Sequence, residues 1–107
     1  MILRDLTALL SGIVPVETGI FSGAAPDEYA VIVPLADELT QYADNMPHSE
    51  TQSVRISLFV KSSWLNRKGQ LINLLLTNGY TITSMRYIGL DAGYHHYSID
   101  TEKNYLL

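Results

Sequence analysis

The sequence predicts an α+β domain in the broad α/β class: one mixed, mostly antiparallel sheet of about five strands with two helices packed on it. Three observations predict this. Residues 54–60 alternate apolar and polar side chains at a period of two, apart from Phe59, which marks a half-buried strand. A helical pattern follows at once over Trp64–Asn78. Strand-like segments flank this pair on both sides, so a crossover helix must lie against the sheet they share. The predicted order is helix-β-β-loop-β-helix-β-β.

The elements follow in order. Residues 2–12, ILRDLTALLSG, put Ile2, Leu3, Leu6, Leu9 and Leu10 on one side, and Gly12 can end that helix. The run Leu6–Val16 is apolar, but Asp5 sits beside Arg4 ahead of it, Pro15 interrupts it and no A-x-A site follows. It reads as an amphipathic helix and not as a signal peptide. Val14–Ser22 alternates as a strand, with Gly19 a potential bulge. GAAPD at 23–27 has turn composition, and Glu28–Leu35 forms a second strand, so the two should make a hairpin. The core AVIV of the second strand is continuously apolar, which implies cover on both faces. Pro34 implies an edge position or a strand end.

Ala36–Glu50, ADELTQYADNMPHSE, reads as a long connection with a short helical turn somewhere in 35–43. The central strand comes next. Ser62 or Ser63 can then cap a helix whose wide apolar face joins Trp64, Leu71 and Leu75 to Leu65, Ile72 and Leu76. Asn78-Gly79 supplies a left-handed stop. Tyr80–Leu90 and Tyr94–Ile99 alternate around Asp91-Ala92-Gly93 as an antiparallel hairpin, which 100–107 can extend.

Composition narrows the function. The 107 residues make one domain, and at 47% hydrophobic they can build a core. Only 17% are charged, so part of the surface must be neutral or apolar, which favours self-association. The net charge of −4 leaves no basic face for gripping phosphates, so tight nucleic-acid binding is not expected. The absence of cysteine removes disulfides, thiolate metal sites and a cysteine nucleophile. No run reaches the ~18 apolar residues of a membrane span.

Candidate chemistry is thin. His95 and His96 are adjacent on a strand and point to opposite faces, so they cannot readily share a metal or a proton. With Asp100 they are the only residues worth testing for catalysis. The acidic group Asp37, Glu38, Asp44 and Glu50 lacks calcium-loop spacing; it is a solvated loop, an oxygen-ligand site, or an acidic surface facing a channel. No nucleophile elbow or phosphate loop is present, so no catalytic residue, cofactor or metal is expected. Five of the seven tyrosines fall in the last third. They pack a sheet face, or they form a subunit interface from Tyr94, Tyr97 and Tyr105 together with Leu106 and Leu107. An apolar ending of this kind should be docked, on this subunit or on the next.

Three segments carry a resemblance: EYAVIVPLADELTQYADNMPHSETQSVRISLFVK (28–61), NGYTITSMRYIGLD (78–91) and GYHHYSID (93–100). Together they resemble the tail-terminator, or tail-completion, proteins of the head–tail joining region of siphophages and prophages. The resemblance implies a mixed α/β fold and a homo-oligomeric ring, commonly of six subunits. Such a ring caps the tail tube, contacts the tail-tube protein and the head connector, and lets DNA pass through its lumen. It implies a virion location at the tail or neck, after assembly in the host cytoplasm. It brings no catalytic residue. If the loop carrying Asp37, Glu38, Asp44 and Glu50 faced the lumen, its charge would ease DNA sliding. The alternatives are another neck component, such as a head-completion or minor tail protein, and a small ligand-binding or regulatory module.

Overall fold

The computed structural model describes residues 1–18, 26–43 and 45–107. Its elements are α1 (Ile2–Leu10), β1 (Val16–Thr18), β2 (Glu28–Ala43), β3 (Met46–Val60), α2 (Trp64–Thr77), β4 (Thr81–Asp91) and β5 (Tyr94–Leu106). The strands form one sheet in the order β1-β2-β3-β5-β4. Only the β1–β2 pair is parallel; the others are antiparallel. The fold is thus the mixed, mostly antiparallel α+β sheet with two helices that the sequence predicts.

β3 is the middle of the sheet and supplies its core. Val54, Ile56, Leu58 and Val60 are all buried on one face, and Ile99 and Tyr97 of β5 lie beside Ile56 and Leu58. Ala30 and Ile32 of β2 continue the same layer on the other side. Ile2, Leu6 and Leu10 of α1 and Leu71 and Leu75 of α2 close over it. This is the helix face. Among the described residues the opposite face carries no helix, and its row of Ser53, Arg55 and Ser57 is half-buried.

Local chemistry explains the element ends. α2 stops in a left-handed turn at Gly79 (φ 82°), with the Gly79 and Tyr80 N–H groups bonded back to the carbonyls of Leu76 and Leu75. The buried Tyr80 then anchors the start of β4. β4 and β5 join through Ala92 and Gly93, both at positive φ, as the twist of a two-residue hairpin requires. At the other end of α2, Ser63 stands at the N-cap but in a left-handed conformation (φ 45°), and its side chain caps nothing. The helix begins where predicted, without the predicted hydroxyl bond. Arg67 instead ties its first turns to Glu28 of β2 by a bidentate ion pair.

Several expectations are corrected. The long connection over 36–50 is not a loop and contains no helical turn: β2 and β3 run on as a hairpin that turns between Ala43 and Met46. Leu35 is an extra residue that shifts the β2 register between Pro34 and Ala36, which hides the continuing strand from a period-two reading. The first two strands are not an antiparallel hairpin; Val16, Glu17 and Thr18 pair in parallel with Ala30, Val31 and Ile32. Gly19 and the rest of that predicted strand lie outside the described residues. The AVIV segment is covered on one face only: Ala30 and Ile32 are fully buried while Val33 is 40% exposed. On α2, Leu65 and Leu76 are exposed, because a straight helix on a sheet buries a stripe narrower than its apolar face.

Candidate assembly interface

The predicted site residues separate into different environments. Tyr97 is a core residue: it is 6% exposed and stacks on Trp64 with ring centroids 5.6 Å apart. It is not part of a surface patch, because the parity of β5 turns it toward α2. Tyr94 lies on the opposite face, edge-on to Tyr29, and donates to the Pro26 carbonyl at 2.6 Å. Tyr105 returns to the helix face and donates to Asp5 of α1 at 2.8 Å. Burial and that bond push its phenol well above the usual tyrosine range, while Asp5 is held below the usual carboxylate range chiefly by the same bond. The chain end is therefore pinned to α1 and, through the Leu107 N–H, to the His48 carbonyl at 3.1 Å. The Leu106 and Leu107 side chains remain out, 85% and 66% exposed.

The acidic group is likewise divided. Asp37 sits opposite Gln52 and Glu50 opposite Leu39, on the helix face; Glu38 sits opposite Thr51, on the other face. Glu50 accepts a hydrogen bond from Gln52 Nε2 at 3.1 Å. Asp44 lies outside the described residues. The three described acids therefore do not share one face, since strand alternation sends Glu38 to the far side of the sheet from Asp37 and Glu50.

The histidines obey the same alternation. His95 Nδ1 meets the Tyr87 hydroxyl at 2.9 Å on the helix face. His96 stacks on Phe59 at 4.3 Å on the other, with Nε2 shielded and unpartnered among the described residues. Burial holds the His96 imidazole below its ordinary pKa. Asp100 is taken by Arg55, which grips it through Nε and Nη2 at 2.8 and 3.1 Å. The structure therefore brings no pair among His95, His96 and Asp100 together. Among the described residues no group of three or more His, Asp or Glu side chains could hold a metal.

Two features that the sequence reading missed dominate the surface. The first is the outer edge of β4, the last strand of the sheet. Met85, Tyr87, Ile88 and Leu90 are between 42% and 65% exposed along it. The second is the projecting β2–β3 arm. It carries exposed Leu35, Leu39, Tyr42 and Met46 and helps to draw the molecule out to 53 × 26 × 23 Å. β1 pairs with β2 only at Ala30–Ile32, so β2 beyond Ile32 has no partner on its outer side among the described residues. The strand over 80–90 was legible, but register shifts between Ile82 and Ser84 and between Tyr87 and Gly89 break its expected alternation and put Ile82 on the face of Met85 and Tyr87. That it would be an edge strand was not legible, because strand order is not written in a local pattern. No protein-family model matches the chain, and no curated protein matches it either.

Proposed function

We propose that this chain is a non-enzymatic structural protein of a tailed phage or prophage. In this reading it is a tail-terminator-like subunit that assembles with copies of itself into a ring, caps the tail tube and joins it to the head connector. The observation that carries the proposal is the pair of strand edges without a partner among the described residues, one along β4 and one along the projecting arm, both lined with exposed apolar side chains. Long, apolar open edges are a liability in a solitary protein and an asset in an assembling one. The resemblance of segments 28–61, 78–91 and 93–100 to tail-terminator proteins names the assembly. The chemistry agrees: His95, His96 and Asp100 are each engaged separately, and the seven basic residues leave DNA in the lumen free to slide.

Native mass spectrometry and negative-stain microscopy of the purified chain, alone and mixed with tail-tube protein, test this. The expected result is a closed ring that seats on the end of the tube. A chain that stays monomeric at high concentration and ignores the tube protein would refute it.

A further inference from the structure

The two open edges fit one another. We propose that β4 of one copy pairs antiparallel with the arm segment of β2 in the next copy, setting Arg86 opposite Glu38 and making one continuous sheet through the assembly. This rests on the reading of the chain as a self-assembling subunit and specifies the surface that reading leaves open.

Direction comes first. β2 and β5 run one way, and β3 and β4 the other. A neighbour related by rotation about an axis to which the strands are moderately tilted keeps that sense, so its β2 meets β4 antiparallel, with its helices on the same side. Length agrees as well. β4 has 11 residues. Beyond Ile32, where β1 ends, the outer edge of β2 over positions 33–43 has no partner among the described residues and is about the same length.

Register follows from the faces. On β4, Ser84 and Arg86 lie on the open face and Met85 and Tyr87 on the helix face. On β2, Glu38 and Thr40 lie on the open face and Asp37 and Leu39 on the helix face. Placing Arg86 against Glu38 sets Ser84 against Thr40, Met85 against Leu39 and Tyr87 against Asp37. In the first three pairs charge meets opposite charge, hydroxyl meets hydroxyl and apolar meets apolar, and all four pairs lie on matching faces. Shifting by one residue would put every side chain against the wrong face.

The stagger has the right size for closure. Within one subunit Arg86 is level with Ser57 of β3 through Ser98, and Glu38 is level with Thr51. The six residues between Ser57 and Thr51 amount to about 20 Å along the strands. Four inter-strand steps from one β2 to the next amount to about 19 Å across them. The ratio corresponds to a strand tilt of about 45°, at the upper end of the range in which sheets close into barrels. A stagger of this size is compatible with closure, and copies stepped in this way form a ring when the rotation between neighbours divides a full turn.

Cysteine pairing tests the register, because the chain has no cysteine of its own. Ser84→Cys and Thr40→Cys are combined in one chain and oxidised. Within one molecule the two positions lie on strands separated by β3 and β5, about 14 Å apart at the least, too far to bridge. The expected product is a ladder of covalent multimers ending at the ring. Ser84→Cys with Leu39→Cys, on opposite faces, should give none. Arg86→Glu or Glu38→Arg alone should weaken subunit association roughly tenfold, and the double swap should restore it. Both side chains are exposed, so the fold survives these changes. A ring seen by native mass spectrometry that yields no Ser84–Thr40 ladder would overturn the pairing and leave the ring subunit standing. A chain that never assembles would overturn both.

Discussion

Leu75 and Leu76 are neighbours on α2 with identical side chains, yet they give opposite predictions. Leu75 is fully buried against the sheet, whereas Leu76 is 59% exposed. Truncating Leu75 to alanine removes apolar contacts and leaves a cavity that rigid neighbours fill only in part, at a cost of about 2–5 kcal/mol. For a two-state domain of this size each kcal/mol lowers Tm by roughly 4–8 °C, so Leu75→Ala should melt at least ~10 °C below the parent. Leu76→Ala exposes nothing new and, with alanine a better helix former, should stay within about 0.5 kcal/mol. Urea denaturation at low protein concentration, where association does not contribute, measures both. The refuting result is a Leu76→Ala loss comparable to that of Leu75→Ala. That would mean α2 is rotated on the sheet, with the broad apolar face buried as the sequence pattern alone implies.

Three further outcomes are expected. Gly93→Ala places a Cβ at φ 83° in the β4–β5 turn and should cost about 1 kcal/mol in urea denaturation, with Ala92→Asn shifting the midpoint the other way. His96 resists protonation in the folded chain, so the unfolded chain binds more protons. Stability is therefore complete above its ordinary value of 6.5, falls as pH drops below that, and levels off below the folded pKa. Thermal melts between pH 5 and pH 8 should show that slope, and His96→Phe should remove it. Finally, Met85→Lys on the exposed β4 edge should leave Tm nearly unchanged while abolishing concentration-dependent association, read by analytical ultracentrifugation.

What was legible in the sequence follows from what a local pattern can encode. The alternation of Val54, Ile56, Leu58 and Val60 reports directly on burial, because one face of β3 meets both helices. Asn78-Gly79 and Asp91-Ala92-Gly93 declare their turns because the backbone there needs positive φ. The arm was misread for two physical reasons. Leu35 inserts a bulge that breaks the alternation, and an exposed two-stranded ribbon has no buried face to impose one. Its acids and Pro47 then look like loop residues. The only local cue was Asp44-Asn45, a turn-forming pair between Thr40-Tyr42 and the central strand. The tyrosines misled differently. Tyr97 and Tyr94 share a strand and a residue type, and only parity sends one into the core and the other to the far face.

The arm also bears on the order of events in assembly. β5 accompanies β3 only as far as Ser49, opposite Leu106. Past that point β2 and β3 stand as an isolated two-stranded ribbon, a structure marginal in water by itself. Its apolar residues Tyr42 and Met46 are 60% and 64% exposed, and Leu39 at its base is 50% exposed. A third strand from a neighbour would supply backbone bonds along Ala36–Ala43 and bury Leu39 against Met85. The same contact would therefore order the arm and join the subunits. Hydrogen exchange is the decisive readout: amides of 36–43 and 81–88 should gain protection together, at the concentration where rings form. Arm amides already as protected in the monomer as those of β3 would break that coupling.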